Sequence, residues 1–212
     1  MQMLPAILLL AAFVVAAHSS FAQNKFITPQ HQFGIKYGYQ ASMLNFKPAV
    51  SQGFLIGNSM GAIYKFTAEK SLGLQAELLY AQLGWNESNG QYARELNYLE
   101  IPFMTQFYFG NKARFLFNIG PKMAFLLSEN VLVNNTDNAA EQHTKPAYNK
   151  FDYGFVAGFG GEFQIGKTAL QLDTRAGFSM SDVFSNNRRD FFSTSNNMYV
   201  SASLAFLLRA GK

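Results

Sequence analysis

Eight stretches of the chain alternate apolar with small or polar residues at period two. The first sets Phe33, Ile35, Tyr37, Tyr39, Ala41 and Met43 against Gly34, Lys36, Gly38, Gln40 and Ser42. Successive strand side chains point to opposite faces, so such a stretch is a strand with one oily and one wet surface. The pattern predicts strands near 33–43, 52–66, 72–84, 95–109, 113–128, 150–166, 168–181 and 196–209, with no charge on any apolar face. Short turns at Thr67–Ser71, Gly110–Lys112 and Gly166-Lys167 alternate with longer loops at Leu44–Ser51, Trp85–Arg94, Glu129–Asn149 and Asp182–Ser195. An even number of strands with short turns on one side and long loops on the other describes a bacterial outer-membrane barrel. The expected fold is therefore all-β: an eight-stranded antiparallel up-and-down transmembrane β-barrel, its termini periplasmic and its long loops outward.

Alternation alone does not say which face points inward. A soluble ligand-binding barrel would turn its apolar face in. The interior of an eight-stranded barrel only just accommodates its own side chains or one small ligand. It cannot hold all the Phe, Tyr, Leu and Ile of these apolar faces. The opposite face has the right size, with Gly34, Gly38, Gly53, Gly57, Gly61, Gly73, Gly154, Gly158, Gly160 and Gly177. Phe33, Phe66, Phe109, Phe115, Phe163 and Phe206 fall near the short-turn ends, and Tyr80, Phe125, Phe151, Tyr153 and Phe178 toward the other rim. Two aromatic girdles are expected at the two lipid–water interfaces.

Composition agrees with this location. The chain is 49% hydrophobic but only 14% charged, and its mean hydropathy is near zero, as half-polar strands require. No run of about eighteen apolar residues predicts a transmembrane helix. The net charge of +4 has no basic cluster beyond Arg188-Arg189, so nucleic acid is not an expected partner. Leu4 to Ala17 is apolar and precedes Ser20-Phe21-Ala22, the pattern of a signal peptide cleaved after Ala22. Residues 23–32 read as a periplasmic lead-in and 33–212 as the barrel. The absence of cysteine excludes a lipoprotein anchor, a disulfide and a thiolate metal site.

The wet faces carry Lys36, Lys65, Arg114, Lys122, Arg175 and Arg209 against Glu77, Glu100, Asp152, Glu162 and Asp173. Near-balance is what a closed interior requires, because unpaired buried charge is costly. If Gly110–Lys112 is a turn, Glu100 opposes Lys122. A turn centred on Glu69 sets Glu77 against Gly61. The Gly166-Lys167 turn sets Arg175 against Gly158 and Asp173 against Gly160. Directly opposed side chains can touch, so an ion pair is expected between Glu100 and Lys122, in a plugged lumen. Pro102 and Pro121 cannot donate to a ladder and are expected at a shared bulge or bend.

Several segments together resemble a known family. They are Leu96-Asn97-Tyr98-Leu99-Glu100-Ile101-Pro102, Gly34-Ile35-Lys36-Tyr37-Gly38, Leu74-Gln75-Ala76-Glu77-Leu78-Leu79-Tyr80, Gly120-Pro121 and Leu172-Asp173-Thr174-Arg175. In this order and spacing they resemble the PorT-type outer-membrane β-barrel family common in Bacteroidetes. The resemblance implies an eight-stranded outer-membrane barrel and little chemistry. Members act in gliding and protein secretion, roles not carried over to this chain. The C-terminus departs from the frequent terminal aromatic, ending Phe206-Leu207-Leu208-Arg209-Ala210-Gly211-Lys212.

Candidate chemistry is sparse. A Ser–His–acid site needs a histidine base. Beyond the signal segment there are only His31, in the lead-in, and His143, in the longest loop near Glu141. Ser181, Asp182, Ser193 and Ser195 lie in another outer loop. Two histidines without ligand spacing give no metal site, and no cofactor is expected. Loops on a rigid scaffold are where interaction concentrates. The candidates are Trp85, Tyr92, Arg188, Arg189, Phe191 and Phe192, with Arg188 and Arg189 suited to acidic lipopolysaccharide. The expectation is a non-enzymatic structural or interaction protein in outer-membrane lipid, with lipopolysaccharide or a protein as partner. A lipid-modifying enzyme is the alternative, and a soluble ligand-binding barrel the third reading.

Overall fold

The computed structural model describes residues 29–135, 140–187 and 190–210. The signal-peptide reading of residues 1–22 lies outside them. Strands run at Gln30–Lys47 (β1), Gln52–Gly53 (β2), Leu55–Thr67 (β3), Leu72–Glu87 (β4), Tyr92–Gly110 (β5), Ala113–Asn134 (β6), Phe151–Ile165 (β7), Thr168–Asp182 (β8) and Thr194–Ala210 (β9). All pairings are antiparallel. The order β4-β3-β1-β9-β8-β7-β6-β5 closes through β4–β5 into an eight-stranded ring. The two-residue β2 pairs with the upper end of β4. One helical turn, Glu141–Thr144, lies in the longest loop. Strand closure satisfies backbone groups without water, the condition for spanning a bilayer.

Burial follows the alternation. Phe33, Ile35, Tyr37 and Tyr39 are exposed while Lys36, Gly38 and Gln40 are buried. The same phase runs round the ring and sets a lipid-facing belt over a polar interior. Phe33, Phe109, Phe115, Phe163 and Phe206 are exposed near one rim and Phe125, Phe151, Tyr153 and Phe178 toward the other, with Phe66 and Tyr80 half-buried.

Register sharpens the hairpins. Gly158 faces Arg175 and Gly160 faces Asp173. This tight turn is fixed by Gly166, whose φ of +63° suits glycine. The other two expectations are displaced by two residues. Glu77 faces Ile63 rather than Gly61, and Lys122 faces Pro102 rather than Glu100. In the β5–β6 hairpin Gly110 pairs with Arg114, so the turn centres on Lys112 rather than Asn111. A two-residue slip leaves every side chain on its own face. No bulge forms at the prolines. Register is unchanged across Pro102 and Pro121 although the ladder is interrupted there, and the shifts fall at Ala93/Arg94 and Asn97/Tyr98.

Several boundaries also change. β1 takes the last three residues of the expected lead-in, and β6 continues six residues past Ser128. β4 and β5 lengthen at the same end, because inward apolar residues continue there. Glu95 shares the outward face of Leu99, correcting the charge-free expectation. It lies four register pairs above the girdle level of Phe125 and bonds Gln82, Asn97 and Asn130.

Candidate functional site: a charge-paired lumen under an aromatic cap

Inward positions on different strands meet in three tiers. In the lowest, Lys65 and Arg114 share the carboxylate of Glu162, and Lys65 Nζ also donates to Gln171 Oε1 at 3.3 Å. In the middle tier, Arg175 forks onto Glu77 through two bonds of 2.8 Å and reaches Asp173 at 2.9 Å. Lys36 Nζ lies 3.4 Å from Glu77 and 3.4 Å from Asp173, while Ser203 Oγ and Gln171 Nε2 donate to Asp173 at 2.7 and 2.8 Å. In the upper tier, Lys122 Nζ is 3.1 Å from Glu100 and 3.5 Å from Asp152. Tyr199 donates to Glu100 at 2.7 Å, Ser179 donates to Asp152 at 2.6 Å, and Ser181 also bonds Asp152. The Glu100–Lys122 contact is diagonal across the ladder, within reach of long side chains.

The tiers bring together Lys36, Lys65, Arg114, Lys122 and Arg175 with Glu77, Glu100, Asp152, Glu162 and Asp173. All are buried; Lys65 is 0% exposed. Fixed partners on every carboxylate offset the desolvation cost of such burial. Gly177 makes room for one of them. The Tyr199 ring lies over it, so a Cβ there would stand 2.3 Å from Tyr199 Cζ.

Above the charges, Leu44, Phe46, Leu83, Trp85, Tyr92, Leu96, Tyr98, Val183, Phe184 and Phe192 pack into one buried cluster. Trp85, Tyr92 and Phe192, expected as loop contacts, are thus corrected to cap residues, at 0%, 1% and 1% exposure. Phe46 packs against Phe192 in a tilted arrangement with ring centroids 4.8 Å apart. Parity carried this signal: Trp85 is in phase with inward Gln75 and Glu77, and Tyr92 with inward Glu100. The sequence places no cap role on Leu83, Phe184 or Tyr199, and Leu96 and Tyr98 enter it only through the family resemblance.

The longest loop folds over this cap. Arg94 donates to the carbonyls of Lys145 and His143 at 2.7 and 3.0 Å and lies 3.5 Å from Glu129. The His143 ring stacks on Tyr92 at 3.8 Å, and its Nε2 is 2.7 Å from Glu87, which also accepts from Gln142. The serines considered beside His143 bond elsewhere: Ser181 to Asp152, Ser193 to the Lys47 carbonyl, and Ser195 Oγ to the Phe184 N–H. An outer cleft of about 400 Å³ lies beside Glu87, lined by Pro48, Val50, Asn89, Gln142 and Phe191. Phe191 is exposed. Arg188 and Arg189 lie outside the described residues.

A closed ring with a lipid-facing belt and a polar interior defines a β-barrel membrane protein. The profile of the family described as outer membrane protein beta-barrel domain matches residues 21–185, and the chain belongs to that family. Its place is the bacterial outer membrane.

The chain is also similar to three solved structures. Neisserial surface protein A is 10% identical, with 84% of this chain and 98% of that chain covered and a TM-score of 0.49. OprG from Pseudomonas aeruginosa is 8% identical, covering 89% and 99%, with a TM-score of 0.48. Ail of Yersinia pestis, in complex with the heparin analogue sucrose octasulfate, is 10% identical, covering 84% and 99%, with a TM-score of 0.44. No curated protein sequence matches the chain.

Proposed function

We propose that the chain is a non-enzymatic outer-membrane barrel of the PorT type. Its lumen is sealed, and it acts through its extracellular loops. The lumen carries this reading: three tiers of paired charge cross it and an apolar cap covers one mouth. Water and solutes would have to break buried ion pairs to pass. The PorT assignment rests on the segments around Tyr98–Pro102 and Leu172–Arg175. The lead-in before β1 and a signal peptide at residues 1–22 belong to the same proposal. Interaction is assigned to the outer cleft beside Phe191, with Arg188 and Arg189 close by in sequence and suited to lipopolysaccharide or an acidic protein surface. Liposome swelling tests the sealed lumen. Vesicles holding the folded barrel should swell in small sugars no faster than empty ones; porin-like swelling would overturn the proposal.

The second reading, a lipid-modifying enzyme, has one observation in its favour: the His143–Glu87 contact at the outer rim. Stacking on Tyr92 and packing over Arg94 suit that histidine to loop anchoring. The variant His143→Ala should leave lipid A profiles unchanged. An altered profile would install the enzyme reading.

A further inference from the structure

Each short turn carries one lysine. Lys70 follows β3, Lys112 follows β5 and Lys167 follows β7, and all three are exposed. These connections fall at every second gap around the ring. The gap between β9 and β1 has no turn, and Arg209 there lies in the inward phase of β9 with its Nε buried. Backbone bonds tie the turns to neighbouring strands. The Lys167 carbonyl accepts from Arg209 N–H at 2.8 Å, the Lys112 carbonyl from Gln164 N–H at 2.9 Å, and the Ser71 carbonyl from Tyr108 N–H at 2.9 Å. Among the described residues, Lys70, Lys112 and Lys167 enter no ion pair. Glu69 is the acidic residue of the three turns.

The apolar belt reaches this rim. Exposed Phe109 and Phe115 flank the Lys112 turn with ring centroids 6.3 Å apart, and exposed Phe163 and Ile165 precede Lys167. A lysine just beyond a lipid-facing aromatic girdle stands at headgroup depth, its stem on apolar surface and its ammonium at the interface. The opposite rim is mixed in charge: its described connections and strand ends hold Glu87, Glu129, Glu141, Asp182 and Asp190 beside Lys47, Arg94, Lys145 and Lys150, with Arg94 paired to Glu129 and Lys145 to Glu141.

We propose that the short-turn rim is a binding collar for anionic phospholipid headgroups. Three unpaired ammonium groups at fixed positions suit phosphodiester oxygens. The turns are too short to carry the lysines past the headgroups toward a soluble acidic polymer. The collar depends on the rim alone and not on a sealed lumen.

Native mass spectrometry of the folded full chain in detergent tests it, with phosphatidylglycerol or phosphatidylcholine added. Phosphatidylglycerol should be preferred, and the preference should vanish at high salt. Each lysine removed should weaken it about fivefold. The triple variant Lys70→Gln, Lys112→Gln, Lys167→Gln should therefore lose it while keeping its strand circular dichroism. The matching triple Lys→Arg variant should retain it, and Lys47→Gln with Lys150→Gln on the other rim should leave it unchanged. Equal binding of the two lipids, or a glutamine triple variant that keeps the preference, would overturn the collar.

Discussion

Lys122 illustrates how a single side chain carries the interior. It stands between Glu100 and Asp152, and the three meet with almost no solvent exposure. Lys122→Met would fill similar space but leave two carboxylates facing each other. It should destabilise the barrel by about 3–5 kcal/mol in urea unfolding from lipid vesicles. A loss below about 1 kcal/mol would mean that water already screens the tier. Gly177→Val tests the same tier sterically. It should push Tyr199 off Glu100 at a cost of about 1–3 kcal/mol, read by the same titration. Asp190 offers a pH test outside the membrane. The Ser185 hydroxyl, and after it the Asn187 N–H, holds its carboxyl below the ordinary value. A depressed folded value means the loop contact is complete above the unfolded value of about 4 and is lost as pH falls through the folded one. Exchange of the Asn187 amide should accelerate over that fall, and Asp190→Asn should flatten the dependence.

At the level of elements, alternation made the strands legible because one face meets lipid and the other is enclosed. Hairpin register was legible only where the turn is tight. Gly166-Lys167 leaves one solution, whereas the turns around Glu69 and Lys112 admit a two-residue displacement that preserves facing. That is why the facing of Glu100 and Lys122 could be read while their direct opposition could not. The cap was hidden for a different reason. Trp85, Tyr92 and Phe192 stand beside turn-forming residues and resemble loop aromatics, yet Trp85 and Tyr92 continue the inward phase of β4 and β5. Phe192 lies in the connection to β9 and reaches the cap by tertiary packing, with no periodic signal. Trp85→Ala should cost about 3–5 kcal/mol and open the loops to added protease. Phe191→Ala, on the exposed side of the same segment, should change stability by less than about 0.5 kcal/mol.

At the scale of the whole molecule, the barrel combines a membrane-facing exterior, an interior of paired charge and one covered mouth. Lysines mark the short turns, while the long-loop side mixes carboxylates with Lys47, Arg94, Lys145 and Lys150. The scaffold needs no chemistry of its own for an interaction role, and its outer cleft is formed by four separate connections and the end of β4. The central claim is that the lumen is sealed. Single-channel recording across a planar bilayer tests it most directly. The folded barrel should give no steady openings in molar salt, and Lys122→Met should not on its own create a porin-sized conductance while the aromatic cap is intact. Stable openings of porin size from the unmodified chain would contradict the account.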